Sequence, residues 1–402
     1  MRRLVLAVVV LGVCAAGPAR AGYTETLDQW MILVDGAYVR AWIDKRWDDA
    51  GSEAALIDPI ERFEPGGGRQ GTLRPSPQAD YELFVTRLQL GILDNLSLGI
   101  GIPVVIRSEV DLNLAWESGD YQVSVGRVYS EDDFWAWAQS MGQSKPKNWK
   151  GNDWTMSDVL VGLRLRWSDW VPAMVESGWA GAVSFFAGVP TGKDPDPEQL
   201  GATGTTLFDL RFQGDLALHV AFEKSFERSL DGRLSLGVDL FYEFFLPRTR
   251  KTPTGEVHPL LLTQAPYVGD EYTVKPGDFS GFSVRADIVP WKGPAIATWL
   301  SGGDSERAAN LPPLLAIGLQ YSFVHMQQSD WSSNYAPWDW DQETLWKPGY
   351  RNVLEGSLTV SLFRVGAPLQ LYAVWRTSSL IPGKNTRASD VLTAGLRIPI
   401  AF

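Results

Sequence analysis

Val391-Leu-Thr-Ala-Gly-Leu-Arg-Ile-Pro-Ile-Ala-Phe402 closes the chain and carries its clearest structural pattern. From Leu392 to Phe402 every second residue is apolar, and the positions between them include Thr393 and Arg397. Because successive side chains of a strand point to opposite faces, this alternation predicts a β-strand with one apolar face. The apolar row reaches the terminal aromatic residue, which is rare in soluble proteins. A buried last strand of a soluble sandwich remains the alternative.

The same dozen positions resemble the carboxyl-terminal signal of bacterial outer-membrane β-barrels, whose last strand ends at the periplasmic rim. The resemblance implies that the barrel-assembly machinery recognises this strand and that outer-membrane lipid surrounds the folded protein. The residues it assigns to the assembly signal are Leu396, Ile398, Ile400 and Phe402.

The amino terminus has the features of a secretory signal peptide. Two arginines precede an apolar run over residues 4–16, and Ala19 and Ala21 place small residues where a signal peptidase cleaves. The apolar run is too short for a lasting membrane helix. We therefore predict a cleavable signal peptide over residues 1–21 and a single barrel domain over residues 22–402.

Composition restricts the class of protein further. Cys14 is the only cysteine, and it ends a partial lipobox, which leaves a lipoprotein as an alternative. Cleavage after Ala21 would instead remove Cys14, so that the mature protein could form no disulfide. The net charge of −11 argues against nucleic acid as a partner, since phosphate binding needs clustered Lys and Arg. Mean hydropathy is −0.10, and no stretch of residues 22–402 is apolar enough for a spanning helix. A membrane form must therefore be a closed barrel.

Alternation recurs along the whole chain. The clearest internal example places apolar residues at successive alternate positions from Leu234 to Leu246. Membrane strands need about nine to eleven residues each, and most of these segments reach that length. The segments predicted as strands are 31–42, 84–90, 96–107, 158–167, 179–189, 208–222, 234–246, 282–288, 315–323, 354–362, 369–375 and 391–402. We therefore predict an all-β fold, a transmembrane antiparallel β-barrel of about twelve strands.

Connector lengths provide an independent test, because outer-membrane barrels have short periplasmic turns and long external loops. The side of the membrane on which each connector lies follows from counting the strands back from Phe402, which is placed at the periplasm. The connectors expected to be periplasmic and short are 93–95, 225–231 and 364–368; those expected to be external and long are 107–157, 247–275 and 324–352. Residues 289–310 break the rule, since they should be periplasmic but form a long connector.

Residues 158–166, the glycine-flanked stretch 181–188 and Val189-Pro-Thr-Gly-Lys193 together form a strand pair that leads into an external loop. This pattern is similar to a family of uncharacterised Gram-negative outer-membrane barrels of unknown function. More distantly, it looks like barrel transporters encoded in aromatic-degradation (meta-pathway) operons. The resemblance implies an outer-membrane location, and it favours transport of small solutes, hydrophobic ones included.

Motifs that could indicate a cofactor have simpler explanations. Residues 188–194 resemble a phosphate-binding loop, but the glycine spacing is one residue short and Asp194 replaces the metal-binding Ser or Thr. Asp194, Asp196 and Glu198 leave a calcium site as a weak alternative to a solvated acidic loop. The three histidines have no metal-ligand spacing. We therefore predict no metal and no cofactor.

A membrane-embedded lipid hydrolase is the enzyme to exclude. It would need a Ser and a His paired on the outer wall near the external rim. His325 lies on the outward parity of its strand, but Ser322 lies on the opposite parity. We therefore assign no catalytic residues and predict a protein that is not an enzyme.

One external connector contains a helix signal. Ser130 can cap a helix, with Asp133 as a near match to a capping box. Phe134, Trp137 and Met141 would then share one face. Such a helix could gate the barrel mouth, or it could pack against the external surface.

Polar residues on the parity opposite the apolar rows should line the lumen, and both signs of charge are present there. A narrow channel for small solutes and a structural or surface-interaction barrel with a plugged lumen both remain open, because twelve strands lie between filled and open barrels. The residues predicted to line the lumen are Arg164, Arg166, Asp209, Arg211, Asp215, Asp239, Glu243, Arg285, Asp287, Glu355, Arg376 and Arg397.

Deletion of Phe402 tests the assembly signal. If the terminal apolar row is recognised during insertion, the deletion should lower the amount of folded, heat-modifiable protein in outer membranes several-fold, whereas a conservative change in an external loop should not. Gel migration of unheated membrane samples measures this. Normal folded levels after the deletion would show that the row serves packing alone.

Overall fold

The computed structural model describes residues 23–140, 145, 147–151, 154–192, 215–226, 230, 233–251, 271–293, 311–333 and 348–401. Twelve long strands within these residues form one antiparallel sheet that closes on itself. They are β1 (Met31–Trp47), β2 (Gln78–Leu93), β3 (Leu96–Asp111), β4 (Val159–Leu165), β5 (Trp179–Val189), β6 (Asp215–Ser225), β7 (Leu234–Phe245), β8 (Phe279–Trp291), β9 (Leu315–Met326), β10 (Gly349–Ser361), β11 (Gln370–Thr377) and β12 (Thr386–Ala401).

The first and last strands close the barrel. β12 pairs with β1 from Met31↔Ala401 to Trp47↔Thr386, with one irregularity between Trp42 and Lys45. Each of the other strands pairs with its neighbour in the chain. The predicted all-β barrel of about twelve strands is therefore confirmed.

The two faces of the wall differ as the alternation predicts. On β6 and β7, Leu218 and Leu240 are 49% and 51% exposed on the outside, whereas Ala217 and Ala221 on the inside are almost fully buried. Leu396, Ile398 and Ile400 of β12 are likewise exposed on the outer face. A continuous exposed apolar belt would drive a soluble protein to associate, but it suits contact with lipid chains.

The connectors at the two ends differ in structure. β2 and β3 are joined by a turn at residues 94–95, and the backbone N–H of Arg166 donates to the carbonyl of Asn95 at the same end. β4 ends at Leu165, two residues earlier than the alternation predicts, because Trp167 begins a 3₁₀ turn (Trp167–Trp170). A second 3₁₀ turn, Phe363–Val365, joins β10 and β11. None of the helices in the described residues is long and apolar enough to cross a membrane.

The external connectors build small folded units. Helix α1 (Glu131–Ser140) packs Phe134 against Leu73 and Trp116 of a three-stranded sheet (Ile60–Phe63, Arg69–Pro75, Leu114–Ser118). The remaining additions are helix α2 (Pro172–Glu176) at the periplasmic end, the sheet Arg248–Lys251, Glu271–Lys275 and Asp330–Ser333, and the short strands Glu53–Ala55, Gln122–Ser124, Arg127–Val128, Trp149–Gly151 and Thr155–Met156. The contacts of α1 favour the surface-packing alternative for this helix.

The cap of α1 is the one that the sequence suggests. The backbone N–H of Asp133 donates to Ser130 Oγ at 3.3 Å, and the Ser130 N–H donates to the Asp133 carboxylate at 2.9 Å. Hydrogen bonds from Arg127 and from Ser130 lower the pKa of Asp133 to about 2. The carboxylate therefore stays ionised, and the cap intact, at any pH above that value. The predicted signal peptide, Phe402 and Met141 lie outside the described residues.

Close strand packing at Gly281 makes a sharp test of the fold. A Cβ at this position of β8 would overlap the carbonyl oxygen of Phe323 in β9, so Gly281→Val should destabilise the barrel by about 3 kcal/mol. The measurement is the midpoint of thermal unfolding, taken as the temperature at which the folded, fast-migrating band is lost on gels. Gly356→Val is the matched control, because a Cβ at Gly356 meets nothing within 4 Å. Equal midpoints for the two variants would contradict the strand packing described here.

Candidate functional site in the barrel lumen

Most of the residues predicted to line the lumen belong to described strands, and their side chains lie on the inner parity. These are Arg164, Asp215, Asp239, Glu243, Arg285, Asp287, Glu355, Arg376 and Arg397. Arg166 instead lies beyond the end of β4 at the periplasmic rim, where its Nε donates to Asp169 at 2.7 Å. Asp209 and Arg211 lie outside the described residues.

A buried ion cluster joins the two strands of the closing seam. Asp35 of β1 accepts from Arg397 Nε at 2.6 Å and from the Tyr372 hydroxyl at 2.7 Å. Arg87 of β2 lies 3.5 Å from the same carboxylate. Asp35, Arg87 and Arg397 are each at most 3% exposed. The carboxylate of β1 thus fixes side chains from three other strands, β2, β11 and β12.

Sequence reasoning predicted Arg397 but missed Asp35, Arg87 and Tyr372. The signal was available, since Asp35 shares its parity with Leu33, Ala37 and Val39, all buried on the inner face. The residues predicted from the sequence to line the lumen include none on this strand.

The wall across the lumen carries the acids. Asp239 of β7 lies 2.8 Å from His219 Nδ1, and the imidazole stacks on the ring of Phe241 and meets the ring of Phe186 edge-on. Asp215 and Glu243 are also buried, at 1% and 3% exposure.

The inward charges are segregated by sign. The inward charges on β11, β12 and β2 are arginines and those on β6 and β7 are carboxylates, and these two groups of strands lie opposite each other in the ring, whereas β8 and β10 each carry one arginine and one carboxylate. The arginines of the first group are Arg87, Arg376, Arg387 and Arg397, and the acids of the second are Asp215, Glu223, Asp239 and Glu243. Local pairs such as Arg376–Glu355 (2.9 Å) and Arg285–Asp287 (2.7 Å) reduce this contrast without removing it. The lumen therefore carries a transverse electric field.

Residues 23–30, here called the N-terminal segment, cross the interior of the barrel. The ring of Tyr23 lies against the backbone of Gly237 in β7, so that a Cβ there would be 3.0 Å from it. The Thr24 hydroxyl donates to Glu223 of β6 at 3.2 Å. On the other side, Arg164 of β4 donates to the carbonyl of Glu25 at 3.3 Å.

The segment then reaches the turn between β2 and β3. The N–H of Leu27 donates to Ser97 Oγ at 2.8 Å, and the N–H of Gln29 donates to the Asp94 carboxylate at 2.9 Å. Gly91 has no side chain where the backbone of Asp28 passes, and a Cβ there would overlap the Asp28 carbonyl. The segment thus contacts the inner face of several strands and narrows the periplasmic half of the lumen. No alternation or motif in the sequence marks it.

The external half of the lumen has an apolar inner face beside β1 and β2. Val39, Leu83 and Val85 have no exposed surface, and Leu56 of the first external connector packs on this cluster. Because these side chains point inward, their complete burial means that other residues fill the space beside them.

Comparison with known proteins supports the fold. No protein family model and no curated protein sequence matches the chain. Among solved structures, an outer membrane channel termed COG4313 from Pseudomonas putida F1 has a TM-score of 0.55 at 8% identity, covering 94% of this chain and 99% of that one. The autotransporter NalP translocator domain of Neisseria meningitidis (TM-score 0.41, 8% identity, 98% and 96% covered) and a Pseudomonas aeruginosa FadL homologue (0.31, 11%, 94% and 91%) are less similar.

The buried cluster around Asp35 predicts a large effect of charge removal. Asp35→Asn should leave Arg397 and Arg87 without their shared carboxylate and lower stability by about 3–5 kcal/mol. Asp80→Asn is the matched control, since Asp80 pairs with Arg40 between exposed side chains and should cost about 1 kcal/mol or less. The temperature of the heat-modifiability transition measures both. A similar small shift for both variants would show that the cluster is not the anchor of the seam.

Proposed function

We propose that this protein is a narrow outer-membrane channel for small solutes. The observation that carries the proposal is the segregated charge of the lumen. Side chains that served packing alone would be expected to neutralise one another locally, because unpaired buried charge is costly. Opposite walls of opposite sign instead provide a path on which polar solutes can replace lost hydration.

The solute class follows from the lining of the lumen. Asp239, His219, Arg285 and Arg164 surround the passage where the N-terminal segment crosses it. Such a lining favours polar or charged solutes over the hydrophobic ones suggested by resemblance to aromatic-degradation barrels. The similarity to a solved outer membrane channel supports the barrel fold. Transport without catalysis is part of the proposal and rests on the charged lining of the lumen.

A plugged structural barrel is the second candidate, and the N-terminal segment favours it. The segment is held at both ends, by Tyr23 against β7 and by Gln29 at the β2–β3 turn. The filled apolar space beside Val39 and Leu83 supports the same alternative. The two candidates differ in whether the segment leaves a conducting passage.

Replacement of the N-terminal segment separates the two candidates. Purified wild-type barrel in planar bilayers should show discrete ion conductance. Exchanging residues 23–29 for a Gly/Ser sequence of equal length should raise that conductance several-fold, because the side chains that hold the segment across the lumen are lost.

The same exchange at residues 122–126 is the control, since this hairpin is solvent-exposed on the external side and should leave conductance unchanged. Absence of conductance from both wild type and the exchanged protein, each shown to be folded by heat-modifiable migration, would overturn the channel and favour the structural barrel.

A further inference from the structure

A cavity of about 60 Å³ lies between the N-terminal segment and the inner wall at β3 and β4. Its wall includes Gly99, Gly101 and Gly162. Because glycine has no side chain, the strand backbone itself forms part of the cavity wall at these positions. At Gly99 an added Cβ would make only ordinary contacts, at 3.6 Å from the Gln89 side chain. By volume the cavity accommodates about four water molecules, or a small organic group of that size.

Arg164 is the distinctive side chain of this cavity. Its Nε donates to Ser184 Oγ at 2.9 Å and its Nη1 donates to the Glu25 carbonyl at 3.3 Å, both neutral acceptors. It makes no ion pair with any described residue; the carboxylates of Asp239, Glu25 and Glu223 act on it only from a longer range. Arg164 is partly buried, and a guanidinium that loses part of its hydration is costly without an anion in direct contact.

Glu25 borders the cavity with a carboxylate, and several other lining residues add hydrogen-bond donors beside Arg164. The side chains of Arg87 and Gln89 supply further N–H donors, and Ser97 Oγ, already an acceptor for the Leu27 N–H, has its own hydrogen to donate. The ring of Phe186 covers Gly162 and forms an apolar side. The cavity therefore offers donors and positive charge on one side and an aromatic surface on another.

We propose that this cavity is a binding subsite for the carboxylate of a small organic acid. The inference deepens the proposed channel and rests on it for its biological role. Arginine suits this ligand because its planar fork donates two parallel hydrogen bonds to one carboxylate. The bare backbone of β3 at Gly99 leaves room for a short apolar tail beside Phe186. The subsite lies beside the N-terminal segment, at the point where a solute must pass it.

Acetate and its neutral isostere acetamide are the probes. Saturation-transfer NMR on the folded barrel in detergent should show saturable acetate binding and at least about tenfold weaker acetamide binding, as expected when a charge-assisted hydrogen bond is lost. Arg164→Gln should weaken acetate binding by a similar factor. Arg40→Gln, on the outer face beside Asp80, is the control and should leave binding unchanged.

A second variant tests the site without altering charge. Gly99→Val should fold, since its Cβ has ordinary contacts, and should abolish acetate binding by filling the cavity. Gly356→Val introduces the same side chain at an uncrowded position of β10 and should bind acetate normally. If Arg164→Gln fails to fold, the comparison of Gly99→Val with Gly356→Val tests the subsite in its place.

The outcomes separate the site from the channel. Conductance in planar bilayers without acetate binding, or with binding unaffected by Arg164→Gln and Gly99→Val, overturns the subsite and leaves the channel. Acetate binding that depends on Arg164 and Gly99 supports the subsite even if the folded barrel does not conduct, a result that would overturn the channel alone.

Discussion

Closure of the sheet by β1 and β12 is the constraint on which the structure depends. In lipid no water is present to satisfy an unpaired strand edge, so each edge N–H and C=O must find a partner within the protein. The long register from Met31↔Ala401 to Trp47↔Thr386 meets this need. The ion cluster at Asp35 then ties the same seam on the inside, where Arg397 and Arg87 approach from the strands on either side.

Closure also creates an interior that the sequence has to fill. Local pairs such as Arg285–Asp287 satisfy part of the inward charge, whereas Arg164 has only neutral partners in contact. The N-terminal segment contributes a backbone N–H, a backbone carbonyl and the Thr24 hydroxyl to inward side chains of β3, β4 and β6 respectively. The lumen is thus shaped as much by this short segment as by the wall.

The wall was predictable from the sequence because its signal is local. Alternation places Leu234 to Phe245 and Trp179 to Val189 almost residue for residue, since each strand has one face in lipid. The lumen was only partly predictable. Inward parity identified Asp239 and Glu355, but partners such as His219 depend on strand register and side-chain reach. The path of residues 23–30 depends on contacts far along the chain, which no local pattern encodes.

The N-terminal segment precedes β1, and β1 is one half of the seam that closes the barrel. The order of events during assembly is therefore constrained by topology. Once β12 has paired with β1, the segment can reach Glu223 and Gly237 only through the periplasmic opening, past the turn at Asp94. Either it is threaded inward after closure, or the nascent sheet curls around it. In the second case the segment is a template around which the strands curve as the barrel forms.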